Sequence, residues 1–125
     1  MRSNNAEIQM KMQMIAQQIA QIEQQLDEVN ENISNIKTVR EAIVDISKAK
    51  KDTEILAPVS NGIFVKTRLI NNNYFLVNTG DGITVNKTKE GILQILDDQI
   101  AQMNKIELEL KNNANKLNIR LSKLK

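Results

Sequence analysis

Apolar residues recur at alternating intervals of four and three in two long stretches of this chain. The first stretch runs from Ile8 to Ile36, and the second runs from Leu93 to Leu124 with one polar interruption at Glu107. A stripe of about two apolar positions in seven is too narrow for a helix in a globular core and is typical of a coiled coil. We therefore expect two long helices that pack against each other in antiparallel orientation. The stripe residues are Ile8, Met12, Ile15, Ile19, Ile22, Leu26, Val29, Ile33 and Ile36, then Leu93, Leu96, Ile100, Met103, Leu110, Ala114, Leu117, Leu121 and Leu124.

The expected limits of the helices follow from capping residues and helix breakers. Asn4 or Asn5 could cap the first helix. This helix should continue to about Lys50, because no glycine or proline interrupts it. Thr88 is a candidate cap for the second helix, which should end near Leu124.

Between the two helices the apolar period falls to two, which indicates β-strands. Three turn signals divide this block: Asn61-Gly62, whose residues both tolerate a positive φ angle, the polar run Asn71-Asn72-Asn73, and Gly80-Asp81-Gly82. The block therefore predicts two successive β-hairpins. The expected strands span about 54–59, 63–70, 74–79 and 82–86.

The predicted fold class is α+β and mostly α: a long antiparallel coiled-coil hairpin whose helices are joined by two β-hairpins. Residues 1–125 are expected to form one domain, with a helix at 1–52, the hairpins at 53–87 and a second helix at 88–125. Pro58 lacks a backbone donor and should lie on a sheet edge or at a bulge. Four short strands cannot bury both of their faces, so they should oligomerise with other chains. The residues expected to mediate this assembly are Ile63, Phe64, Val65, Phe75, Val77, Ile83 and Val85.

The composition excludes several kinds of chemistry. The chain has no Cys and no His, so it lacks disulfides, thiolate metal sites, the commonest general base and the commonest transition-metal ligand. Asp97 and Asp98 adjoin on a helix and point in different directions, so they do not form a catalytic pair. Arg40 occupies a stripe position and is expected to turn outward to solvent rather than mark a site. We expect no enzyme activity, no catalytic residues, no metal and no cofactor.

Charge and hydropathy limit the partners. The net charge is +2 with both signs mixed, which gives no strong attraction for nucleic acid. No apolar run approaches the roughly 20 residues of a membrane span, and the N-terminus lacks the apolar stretch of a signal peptide. The expectation is therefore a cytoplasmic protein that binds neither membrane nor nucleic acid.

The hairpin block resembles the prefoldin family, and specifically its alpha-class subunits. Residues 56–66 read Leu-Ala-Pro-Val-Ser-Asn-Gly-Ile-Phe-Val-Lys and are similar to the family's apolar-x-Pro-apolar segment leading into Gly-x-Phe/Tyr-Val-Lys. Residues 77–88 are similar to its second hairpin, in which Gly-x-Gly precedes Val-x-Lys-Thr or Val-x-Lys-Ser. Alpha-class subunits have two central hairpins where beta-class subunits have one. Asn86 departs from the family pattern, which often has Glu there.

The resemblance implies a particular assembly and activity. Prefoldins are heterohexamers of two alpha and four beta subunits, in which the hairpins build a β-barrel platform and the coiled coils hang from it. Such complexes are ATP-independent chaperones that hold unfolded proteins at the coiled-coil tips and pass them to a group II chaperonin. The implied partners are beta subunits, a second alpha subunit, a group II chaperonin and unfolded client proteins. The implied source is archaeal.

Client capture requires apolar side chains that the coiled coil leaves uncovered. Met10 and Met14 fall outside the first stripe, and Ile119 falls outside the second. Methionine is flexible and polarizable, which suits varied partners, although both methionines could instead be tolerated surface residues. The expected client-binding residues are Met1, Met10, Met14, Ile119, Leu121 and Leu124.

The C-terminal segment is also basic. After Glu109 the chain has five cations and no acidic residue. These cations could simply favour the negative end of the helix dipole and solubility, or they could contact acidic segments of clients or of the chaperonin. No aromatic residue is interleaved with them, which argues against nucleic-acid binding. The five residues are Lys111, Lys116, Arg120, Lys123 and Lys125.

A structural coiled-coil scaffold that joins two specific folded partners is the alternative function. Both functions use the same fold. They differ in whether the helix ends bind many unrelated denatured proteins or particular folded ones.

Overall fold

The computed structural model describes the backbone of residues 2–125 and the side chains from residue 4 onward. Helix α1 (Arg2–Lys48) is followed by strands β1 (Glu54–Ser60), β2 (Ile63–Arg68), β3 (Tyr74–Asn78) and β4 (Thr84–Thr88), and then by helix α2 (Lys89–Leu124). β1 pairs with β2 and β3 pairs with β4, each as an antiparallel two-stranded sheet. The predicted architecture of two long helices joined by two β-hairpins is confirmed.

The apolar stripes are the covered faces of both helices. Ile15, Val29, Ile33 and Ile92 are each no more than 9% exposed. The other stripe residues are half-buried, except Ile8, which is 36% exposed at the start of the first stripe. The two stripes, with Ile92 added, are called the seam below. Glu107 is half-buried at its seam position, where its carboxylate accepts a hydrogen bond from Lys111 Nζ at 2.9 Å.

Two compact units are defined by contacts within the chain. The helical unit contains the described residues up to Asn35 together with Gln99–Lys125, and the hairpin unit contains Ile36–Asp98. In the helical unit, one cavity is lined by Met14 and Leu124 and another by Gln25 and Asn113. From the first cavity to the second, residue numbers rise along α1 and fall along α2. The helices of this unit are therefore antiparallel, as predicted.

The loop between the hairpins is bonded to the ends of both helices. The last carbonyls of a helix have no partner within it. Asn72 Nδ2 donates to the Ala49 carbonyl at 2.8 Å, just beyond the end of α1. The Asn73 carbonyl accepts a hydrogen bond of 3.3 Å from the backbone N–H of Lys89, the first residue of α2. The polar run expected only to turn the chain therefore also positions both helix ends.

Thr88 caps α2 as predicted. Its Oγ1 accepts a hydrogen bond from the Gly91 backbone N–H at 3.1 Å, which satisfies one of the unpaired donors of the first helical turn. The prediction for the start of α1 is wrong. This helix already includes Arg2, so neither Asn4 nor Asn5 caps it.

The turns also differ from the sequence prediction in detail. Of Asn61 and Gly62, only Gly62 has a positive φ, at 77°. Ser60 pairs with Ile63, so Asn61 and Gly62 form the predicted two-residue hairpin turn, and the register shift between Pro58 and Ser60 leaves Val59 as a bulge next to Pro58, as the sequence predicted for Pro58. In the second hairpin, Gly80, Asp81 and Gly82 all have positive φ. Because Gly82 still belongs to the turn, β4 begins at Thr84 rather than near residue 82.

Two further limits are corrected. α1 ends at Lys48, short of Lys50, and Asp52 adopts a φ of 69° as the chain turns into β1. β2 ends at Arg68 rather than at residue 70. Leu69 still bonds back to Thr53, through its N–H to the Thr53 carbonyl at 2.9 Å, and the chain then leaves the sheet.

We expect Asn72→Ala to lower the free energy of unfolding by about 1 kcal/mol, because it removes a hydrogen bond to an otherwise unpaired helix-end carbonyl. Urea unfolding followed by circular dichroism measures the change. Asn73→Ala is the matched control, since the loop contacts of Asn73 are made by its backbone. Equal stability of the two variants would contradict the capping role of Asn72.

Candidate functional surfaces

The acidic side chains of the described residues form no cluster that could hold a metal ion, since no group of three or more acidic, Cys or His residues is placed to do so in this part of the chain. Asp97 accepts a hydrogen bond of 2.8 Å from Arg40 Nε, whereas Asp98 accepts one of 2.9 Å from Gln94. The two carboxylates therefore have separate partners, as predicted.

Arg40 turns out of the seam as expected and makes an ion pair with a residue of the other helix. The hydrogen bond that Arg40 donates to Asp97, and then the negative charge of Asp97, raise the pKa of the Arg40 guanidinium. Both side chains are well exposed. The pair therefore joins α1 to α2 within the hairpin unit, and the two charges compensate each other.

Among residues 2–125, neither helix contains a segment apolar enough to cross a membrane.

The hairpins expose much of their apolar surface. Five of the seven residues predicted to mediate assembly are exposed, from Val85 at 41% to Ile83 at 61%. Phe75 and Val77 are half-buried. Five other apolar residues of the hairpins are also exposed, of which Ile70 at 79% and Leu76 at 74% are the most accessible. We call the exposed set the hairpin surface: Leu56, Val59, Ile63, Phe64, Val65, Ile70, Tyr74, Leu76, Ile83 and Val85.

Strand register explains which side chains are exposed. In an antiparallel pair, directly opposed residues share a face. Leu56 and Phe64 lie on the more exposed face of the first hairpin, whereas Ile55 and Thr67 lie on the half-buried face. In the second hairpin, Tyr74 and Leu76 lie on the exposed face. The period-two pattern could have identified these residues, because alternate positions of each strand must share a face.

A cleft of about 630 Å³ lies beside the strands in the hairpin unit. Ile46 of α1, Ile55 of β1 and Phe75 of β3 contribute apolar side chains to it. The cleft therefore interrupts the packing of the half-buried faces, and the hairpin unit leaves apolar surface open on both sides of its strands.

The sheet edges differ in the hydrogen bonds that they offer to another strand. Leu69 N–H donates to the Thr53 carbonyl, so the residue pairs that exchange hydrogen bonds are Ile55 with Thr67 and Ala57 with Val65. Pro58 then occupies a position whose N–H would point away from β2. The outer edge of β1 consequently lacks the backbone N–H donor of residue 58. The next residue, Val59, forms the bulge. β2 offers a complete outer edge through Phe64, Lys66 and Arg68.

The ends of the helices carry the second exposed apolar surface. Met10 is 64% exposed, Met14 is 59% exposed and Ile119 is 54% exposed. These three residues are called the terminal surface, and their positions outside the seam agree with the heptad prediction. Leu121 and Leu124 lie on the seam and are only half-exposed, so they offer less area. Met1 lies outside the described residues.

Two exposed residues of α2 did not stand out in the sequence. Leu108 is 60% exposed and Ile106 is 42% exposed, and both belong to the helical unit. They flank the half-buried Glu107, where the seam lacks an apolar residue. The sequence could have indicated their exposure, because both positions fall outside the heptad pattern.

Comparison with known proteins gives one consistent family. A family model described as prefoldin subunit matches residues 15–125. The prefoldin subunit alpha of Methanopyrus kandleri is 25% identical over 115 residues, which cover 86% of this chain and 73% of the relative. The prefoldin subunit alpha of Thermofilum pendens is 24% identical over 110 residues, which cover 88% of this chain and 85% of the relative.

A solved structure shares the fold. The cryo-EM structure of filamentous PFD from Methanocaldococcus jannaschii aligns with a TM-score of 0.84 at 16% identity, over 93% of this chain and 96% of its own. Two hairpins set between paired helices define the class of protein, a coiled-coil subunit with a β-hairpin block. The chain belongs to the prefoldin family, as a subunit of the alpha class. Family membership implies assembly with other prefoldin subunits.

The complete edge of β2 gives a test of how that assembly forms. We expect Lys66→Pro to weaken association, because it removes an outward-pointing N–H that a partner strand would bond, while the bonds to β1 are kept. Lys66→Ala is the control, since it loses the charge and keeps the N–H. Sedimentation of each variant, alone and mixed with a prefoldin beta subunit, measures the effect. Equal assembly of the two variants would show that β2 is not the pairing edge.

Proposed function

We propose that this chain is a subunit of an ATP-independent chaperone assembly that captures unfolded proteins with its terminal surface. The observation that carries the proposal is the presence of exposed apolar side chains in each of the two compact units, although the helices have already covered their seams. The hairpin surface would bind sister subunits, and the terminal surface would remain for clients. Family membership supports the chaperone role rather than enzymatic activity.

The proposed assembly contains two alpha and four beta subunits, whose hairpins form a common β-barrel platform. Its clients would pass to a group II chaperonin in the cytoplasm. Contiguous exposed apolar area marks interaction sites in soluble proteins, which supports assembly through the hairpins. The structural relative from Methanocaldococcus jannaschii is described as filamentous, so the sedimentation experiment also distinguishes a closed complex from an open filament.

The terminal surface is suited to weak and repeated contacts. Met10 and Met14 present flexible thioether side chains that can adapt to different partners. Ile119 adds a branched apolar side chain from the other helix. Each contact alone is small, but several subunits engaging one client would bind it tightly through effective concentration. Capture of this kind needs no preformed pocket and no nucleotide.

We expect the triple variant Met10→Ser, Met14→Ser, Ile119→Ser to lose most of its protection of denatured proteins. Each lost apolar contact is worth on the order of 1 kcal/mol, so at least about tenfold more variant should be needed for equal protection. Light scattering of several unrelated denatured proteins, diluted without nucleotide into the assembled protein, measures this.

The matched control is Val39→Ser, Ile106→Ser, Leu108→Ser, which removes three exposed apolar side chains from other parts of the helices. The control should keep full protection and the same assembled size. Equal loss in both triple variants would contradict a capture site at the helix ends. If the unmodified assembly protects no denatured protein but binds one folded partner tightly, the chain is a scaffold instead.

A further inference from the structure

A cavity of about 370 Å³ lies between the ends of α1 and α2 in the helical unit. Its apolar lining comes from Ile15, which is 6% exposed, from half-buried Leu124, and from Met14 of the terminal surface. This volume is at the lower end of the range for ligand pockets. The cavity therefore has room for an apolar side chain and not for a folded element.

Three cations surround this apolar lining. Lys11 comes from α1, and Arg120 and Lys123 come from α2. All three are exposed, and none has an ion-pair partner among the described residues. By contrast, Lys111 is bonded to Glu107 one turn away. Gln18 is the remaining lining residue, so no acidic side chain lines the cavity.

The helix dipole accounts for only part of this arrangement. Arg120 and Lys123 lie in or near the last turn of α2, where a cation is favoured. Lys11 lies in the first part of α1, near the end of that helix where the dipole does not favour positive charge. The antiparallel pairing brings Lys11 to the same cavity as the other two, and this adds a local positive charge that neither helix has alone.

We propose that this cavity binds short unfolded segments in which acidic side chains flank an apolar one. The apolar side chain would enter between Met14, Ile15 and Leu124, and the carboxylates would contact Lys11, Arg120 and Lys123. This inference rests on the proposed function and specifies its clients: capture at the helix ends favours acidic–apolar segments over neutral or basic ones.

The strength of the ion pairs determines how large a preference for acidic peptides the experiment should measure. A single exposed ion pair contributes little, but three cations act on one segment, so the expected preference for acidic over basic peptides is about tenfold. Screening shortens the range of such attraction from about 10 Å at 0.1 M salt to about 3 Å at 1 M. The preference should therefore disappear at high salt, while apolar contact remains.

Four fluorescent decapeptides test the proposal by anisotropy with the full-length chain. They contain a central Leu flanked by Glu, by Gln or by Lys, or a central Gly flanked by Glu. We expect the peptide with Leu and Glu to bind most tightly at 0.1 M salt and to lose its advantage over the Gln peptide near 1 M salt. Equal affinity of the Glu and Lys peptides around Leu would overturn the proposal.

The matched variants carry equal changes of charge. Lys11→Gln, Arg120→Gln, Lys123→Gln should lose the preference for Glu about tenfold, whereas Lys37→Gln, Lys48→Gln, Lys51→Gln should keep it. Circular dichroism verifies that both are folded. If the first triple variant retains the preference, the cavity is not the acidic site. Tighter cation-dependent binding of a single-stranded oligonucleotide than of the Leu–Glu peptide would also overturn the proposal.

The peptide-binding experiment tests the selectivity of the cavity, and the protection experiment tests the proposed function separately. Protection of denatured proteins without a preference for acidic peptides would contradict only the proposed selectivity of the cavity. A preference for acidic peptides without protection of any denatured protein would contradict the chaperone role and leave the cavity as a binding site for acidic segments.

Discussion

A helix with two apolar positions per heptad can cover only a thin stripe against one neighbour, and this limit governs the rest of the structure. None of the described side chains is fully covered, and Ile15, Val29 and Ile33 are the most buried of α1. The two helices are therefore held by many small contacts repeated along the seam. A chain built in this way cannot hide the apolar side chains of its strands, since no globular core exists to receive them.

The exposed apolar side chains fall into two groups that differ in the kind of element that carries them. Those of the hairpins lie on strands, whose unpaired backbone groups can also bond to another strand, so they suit a fixed and directional interface. Those of the helix ends lie on helices, whose backbone groups are already bonded, so only side chains are available there. Contacts of the second kind depend little on the partner's backbone geometry, which is what binding to many unfolded sequences requires.

Local sequence signals determined most of the fold. The stripes, the Thr88 cap, the turn at Gly80 to Gly82 and the exposure of Met10 follow from residues close in the chain. The hydrogen bond from Asn72 to Ala49 could not be predicted, because its donor and acceptor are 23 residues apart. The bulge at Val59 adjoins Pro58, whose missing backbone donor had predicted a sheet edge or a bulge at this point.

The candidate sites likewise combine features that local sequence predicts with one that depends on residues far apart in the chain. Heptad position alone predicted that Met10, Met14 and Ile119 would be exposed. The basic C-terminal segment was also visible in the sequence, but the contribution of Lys11 to the same cavity was not. That contribution depends on the register of two helices whose relevant residues are more than 100 positions apart. Register is fixed by the sum of seam contacts and not by any one of them.

The seven-residue period of the seam has a consequence for how such proteins can change in length. Adding one heptad to each helix of the helical unit would return every later side chain to nearly its original direction, because two turns of a supercoiled helix contain seven residues. Adding one residue would rotate all later side chains by about 100° and move the seam off its partner. Insertions and deletions in these helices should thus be tolerated in matched steps of seven, whereas the loop at Asn72 and Asn73, bonded to both helix ends, has no comparable freedom.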